Sequence, residues 1–124
     1  MADGRAASPG ESILRLRWID SGLPHPTPQL ELWVGRVLVC IFDLGLEELL
    51  LAAEYLGLEW HSSDEQVESD DRRREIAEGQ GWIMEDFDKH DLFSRQRSVE
   101  EVLRAAAVRA RSNRRLVIDL SSRR

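Results

Sequence analysis

Cysteine is nearly absent from this 124-residue chain, Cys40 being the only one. A lone thiol can build neither an intramolecular disulfide nor a cysteine-based zinc site, and such usage agrees with a reducing compartment. Long apolar runs are also missing, since the longest fall far short of the ~20 residues of a membrane span. The opening MADGRAASPG lacks the apolar core of a signal peptide, so the protein is expected in the cytoplasm. Lysine is scarce, as 16 of the 17 basic residues are arginine, a bias that coding preference explains as readily as phosphate chemistry. There is no surplus of positive charge either. With 23 acidic residues the net charge is -6, and the chain as a whole does not attract nucleic acid. No P-loop, dinucleotide fingerprint, Ser-His-Asp triad, cysteine nucleophile setting or internal repeat occurs.

What is present is 42% apolar and 32% charged residues, the balance of a soluble globular protein with one core. The first helix has a clear start: Ser8 as N-cap, Pro9 at the first helical position and Glu11 closing a capping box. Gly22 and Pro24 end it, and PHPTP forms an extended linker. Three strand-like runs follow, QLELWV, RVLVCIFDL and ELLLAAEYL, with Gly35-Arg36 implying a tight hairpin between the first two. The third suits a buried strand by position and length, although Leu, Ala and Glu favour helix. SSDEQVESDDRRREIAEGQG reads as a helix capped by Ser63 or Asp64, and GWIMEDF as a fourth strand. A closing helix starts at a second capping box, Ser98 with Glu101, and carries an apolar stripe of Val99, Val102, Leu103, Ala106 and Ala110. The segment LVIDL is left open between a short strand and disorder. The order α-β-β-β-α-β-α predicts an α/β fold, a small mixed four-stranded sheet flanked by helices. Residues 1–7 are expected to be a disordered N-terminus, 8–112 the domain and 113–124 a basic C-terminal tail.

Two carboxylates stand out: Asp43 ends one apolar run and Glu54 nearly ends the next. An acid inside such a run is costly to bury without a partner or a metal. In order along the chain, SPGES…LRLRWIDSGLPHPTPQ, a strand ending in Asp43-Leu44, AAEYLGLEWH, an Arg/Asp-rich helix and a strand opening on GW together resemble the actinobacterial domains related to the very-short-patch repair endonuclease. Those belong to the PD-(D/E)XK, or restriction endonuclease-like, superfamily. The resemblance runs from about Ser8 to about Ala110 and rests on order and spacing rather than on a single motif.

The resemblance implies a restriction endonuclease-like fold and a Mg²⁺-dependent endonuclease acting on DNA. Asp43 and Glu54 match its metal ligands, Glu11 the acid contributed by a helix, and His61 a histidine near the phosphate, as general base or phosphate contact. Each has a plainer explanation: Asp43 as a loop cap before Gly45, Glu54 as a strand-edge acid facing water, Glu11 as a capping-box member, His61 as a surface side chain. Trp60 is expected in the core. Two departures stand beside these matches. The residue two after the strand glutamate, basic or polar in the active pattern, is Leu56, which can neither position water nor stabilise phosphate charge. The zinc-binding cysteines of the repair enzyme are also missing.

All but four of the 17 basic residues lie after residue 71, so nucleic-acid contacts are expected from Arg72, Arg73, Arg74, Arg95 and Arg97. A solvated helix laced with Asp–Arg pairs explains the first three equally well. Two other readings of the whole stay open. One is a non-catalytic nucleic-acid-binding or regulatory module on the same fold, as in abortive-infection antitoxin-like proteins, whose winged-helix segment is not part of this sequence. Such a chain is expected either to stand alone or to be the C-terminal piece of a longer product. The other is an interaction domain whose acids only cap and solvate.

Overall fold

The computed structural model describes residues 9–56, 64–93 and 98–122. Helix α1, Pro9–Asp20, begins on a proline at a position where no N–H is needed. It ends at Gly22, whose φ of 84° suits a residue without a side chain. Leu14 and Trp18 are fully buried on its inner face, and the Trp18 indole N–H donates to the Pro24 carbonyl at 2.9 Å.

Strands β1, Thr27–Val34, and β2, Val37–Leu46, form an antiparallel hairpin closed by Gly35-Arg36, with Val34 opposite Val37. The third apolar run is a strand, β3, Leu51–Leu56. It is shorter than the run ELLLAAEYL because β2 extends to Leu46 and the chain then needs residues to reverse. Leu49 N–H bonds the Leu46 carbonyl at 3.2 Å, and Leu50, at φ 54°, bonds that of Glu47 at 3.2 Å. Helix α2, Asp64–Gly79, crosses over to β4, Ile83–Asp88, which lies parallel to β3. The sheet is mixed, in the order β1-β2-β3-β4.

Two features at the C-terminal end depart from the sequence reading. A short helix α3, Lys89–Phe93, follows β4 directly. Asp88 and Asp91 cap it reciprocally, each carboxylate accepting the other's backbone N–H at 2.9 Å. Helix α4, Val99–Ser122, starts at the expected cap, with Glu101 N–H on Ser98 Oγ at 3.2 Å, and continues through LVIDL. No glycine or proline interrupts that stretch, so local β-branching does not stop a helix already under way.

Helices cover both faces of the sheet. Against α1 and α4 lies the larger core, including Leu14, Trp18, Leu44, Leu51, Phe87 and Leu103. Beneath α2 lies a smaller one of Phe42, Ala52, Ala77 and Trp82, with the Phe42 and Trp82 ring centroids 4.6 Å apart. Gly10 is buried where an added Cβ would fall 2.2 Å from the Tyr55 ring, so the start of α1 sits directly on the end of β3. Among the described residues, no helix is long and apolar enough to cross a membrane.

Candidate functional site

Strands β2 and β3 are in register over three residue pairs only, Leu46 with Leu51, Gly45 with Ala52 and Leu44 with Ala53. Beyond that point β2 remains paired with β1, while Glu54, Tyr55 and Leu56 pair with Asp86, Phe87 and Asp88 of β4. The sheet therefore forks at Asp43 and Glu54. Side chains take over the bridging there: Asp43 N–H donates to Glu54 Oε2 at 2.7 Å, and Tyr55 N–H donates to Asp43 Oδ2 at 2.8 Å. Each carboxylate accepts a backbone N–H from the opposing strand, the task a carbonyl performs in an unbroken ladder.

The pair is electrostatically strained. Burial is the largest cause pushing Glu54 up to about 8, and the charge of Asp43 adds to it. Asp43 is also raised by burial, against the lowering effect of the Tyr55 N–H and of its hydrogen bond with Glu54. The charge of Asp86 raises both. Asp86 itself is held by Arg74 of α2 through an N–H at 2.6 Å, and the same guanidinium donates to the Met84 carbonyl at 2.9 Å. Arg74 is thus committed to Asp86, while burial and like charge favour the protonated form of Glu54.

Asp43, Glu54 and Leu56 line a cavity of about 350 Å³, with Arg73 and Arg74 on its α2 wall. Asp43 also lines a second cavity of about 350 Å³ beneath α1, where Glu11 is found. Asp43 thus borders both cavities, with Glu11 lining the one on the α1 side and Glu54 the one on the α2 side. Arg72 lies on the exposed face of α2, 3.9 Å from Glu68. His61, Trp60, Arg95, Arg97 and the cap residues Ser8 and Ser63 lie outside the described residues. The sequence reading misses Asp86. GWIMEDF offers Glu85 and Asp86 side by side, and only the strand register decides which one joins Glu54. Among the described residues, no group of three or more His, Cys, Asp or Glu could hold a metal ion. A cation here would have to rely on two carboxylates and water.

No protein-family model matches the chain, and no solved structure does. It is similar to uncharacterized proteins of Mycobacterium tuberculosis, from strain CDC 1551 / Oshkosh and from strain H37Rv, at 37% identity over 83 residues in each case. The match takes in 67% of this chain and 31% of each relative, so the chain spans about a third of their length.

Proposed function

We propose that the chain is a PD-(D/E)XK-like domain that binds a divalent cation, Mg²⁺, through Asp43 and Glu54 and acts on the phosphodiester backbone of DNA, with hydrolysis held low by Leu56. The observation that carries this reading is the reciprocal lock at the fork: two half-buried carboxylates, each fixed by a backbone N–H of the opposing strand, in a setting where burial and like charge raise the pKa of both. Acids crowded in this way repel unless a proton or a cation intervenes, and Mg²⁺ is commonly held by one or two carboxylates with its remaining ligands water. When bound, it would polarise the phosphate and lower the pKa of a water molecule.

The protein's own contribution is positioning. The Asp43 and Tyr55 N–H groups hold one oxygen of each carboxylate before any ligand arrives, so little reorganisation is needed. Glu11 adds acidity from the α1 side, and His61 is the base available to take a proton. Arg73, on the cavity wall, with Arg72, Arg74, Arg95 and Arg97, would contact the phosphates. Leu56 lines the same cavity and offers nothing to the charge that develops at phosphorus. The single half-buried thiol, Cys40, fits a protein working in the cytoplasm. A second reading, a nucleic-acid-binding or regulatory module without hydrolysis, is favoured by Leu56, and within it the net charge of -6 favours the regulatory role over nucleic-acid binding.

Calorimetric titration with Mn²⁺ and a plasmid-nicking assay separate these readings. Asp43→Ala should abolish cation binding, and Leu56→Lys should raise cleavage by about 10²-fold, the scale of one transition-state contact. Equal Mn²⁺ binding by wild type and Asp43→Ala would remove the cation reading. Binding without cleavage in both wild type and Leu56→Lys would leave the non-catalytic module.

A further inference from the structure

Two non-glycine residues among those described have positive φ: Leu50 in the turn before β3, and Gln29 in the interior of β1 at φ 54°. A left-handed glutamine inside a strand is strained, and no reversal of the chain calls for it. No residue has been inserted either. Pro28 pairs with Leu44 and Leu30 with Phe42, so the register is the same on both sides and only the Gln29–Asp43 pair is skipped.

The facing strand shows a matching irregularity. Residues two apart on a strand share a face, yet Phe42 packs in the core under α2 and Leu44 in the core under α1 and α4. The phase slips at Asp43, the residue whose N–H and carboxylate bond to β3. Gln29 and Asp43 also line the same cavity beneath α1.

We propose that Gln29 is a positioning residue, whose left-handed backbone opens the β1–β2 ladder opposite Asp43 and so directs the Asp43 carboxylate to β3. Its importance for a ligand rests on the reading of Asp43 and Glu54 as a cation site. The effect resides in the main chain. Glycine, which adopts this φ freely, will serve in its place, whereas a β-branched residue, which favours regular strand, will not.

The test compares wild type, Gln29→Gly and Gln29→Val by two readouts: hydrogen exchange of the Asp43 and Tyr55 amides by NMR, without metal, and affinity for Mn²⁺. Gln29→Gly should keep both within about twofold. Gln29→Val should lose about tenfold or more in Tyr55 amide protection and in Mn²⁺ affinity, the scale of one strained backbone position. Wild-type protection in Gln29→Val would overturn the proposal. So would a Gln29→Gly chain that loses protection as valine does, because the side-chain amide would then be responsible. Should Gln29→Val fail to fold by circular dichroism, Gln29→Ala takes its place, with an intermediate loss expected and no loss counting against the proposal. A wild type that ignores Mn²⁺ would sink the cation reading, while amide exchange would still decide the role of Gln29.

Discussion

Glu100 and Glu54 are the same side chain in two regions that treat its charge in opposite ways. Glu100, at the start of α4, receives two N–H groups of Arg17 from α1, one to each carboxylate oxygen, and Arg17 also donates to the Leu92 carbonyl at 2.8 Å. That guanidinium is the main reason the Glu100 carboxyl lies well below its ordinary value, at about 2. Glu54, at the fork, has no cationic partner among the described residues. It faces Asp43 and Asp86, and burial with like charge pushes it up to about 8. A matched charge ties two helices together over the larger core. The other carboxyl sits where the sheet opens to a cavity, and there burial and like charge favour its protonated form.

Four substitutions test this division, beginning with the largest effect. Trp18→Ala, in the core that the Glu100–Arg17 clamp closes, should cost about 3–5 kcal/mol in urea unfolding. A loss below 1 kcal/mol would mean that the α1–α4 side does not hold the fold together. Glu100→Gln should cost about 2 kcal/mol at neutral pH. Because its folded pKa, about 2, lies below the ordinary 4.5, that stability is present above pH 4.5 and fades as pH falls toward 2, where wild type and variant should converge.

Glu54→Gln should act with the opposite sign. The fold favours the protonated acid, so the wild type loses stability as pH rises from 4.5 through about 8. The permanently neutral glutamine should therefore match wild type at pH 4.5 and exceed it by about 1 kcal/mol above pH 8. A thermal melt series at several pH values reads this directly, and a destabilised variant at high pH would break the contrast between the two glutamates. The smallest change is Trp33→Ser on the exposed hairpin arm, where the indole is 53% exposed and donates only to Glu31. It should stay within about 0.5 kcal/mol of wild type.

Much of the order of elements was legible because it depends on local signals. Pro9, Gly22, Gly35-Arg36 and Ser98 mark their boundaries by backbone chemistry that acts over a few residues. Asp43 and Glu54 were legible as a pair because consecutive antiparallel strands bring such positions together. The choice of Asp86 over Glu85, and the capture of Asp86 by Arg74, depend on a parallel register with a strand reached only across α2, and no local pattern encodes that. Gln29 gave no warning, since glycine or asparagine is the usual mark of a left-handed position. Helix α3 hid in KHDLF because its cap is an Asp–Asp exchange rather than a Ser–Glu one. At the end of α4, the β-branched residues of LVIDL left the segment open between a short strand and disorder, where the preceding turns of helix prevailed.

The crossover through α2 also sets an order of events during folding. The β1–β2 hairpin closes over a two-residue turn, which takes microseconds in small systems. Parallel pairing of β3 with β4 must wait for the whole of α2 to be laid across the sheet, at the cost of a much larger loop closure. In the interval β3 has one free edge, and Glu54 has neither Asp86 beside it nor Arg74 nearby. An early intermediate with β1, β2 and β3 assembled would expose Ala52, Phe42 and the β3 edge together, an adhesive surface that α2 later covers. Slow or failed docking of α2 would leave that surface open, and substitutions at Ala77 or Trp82, which close the core beneath that helix, should then lower the refolding yield.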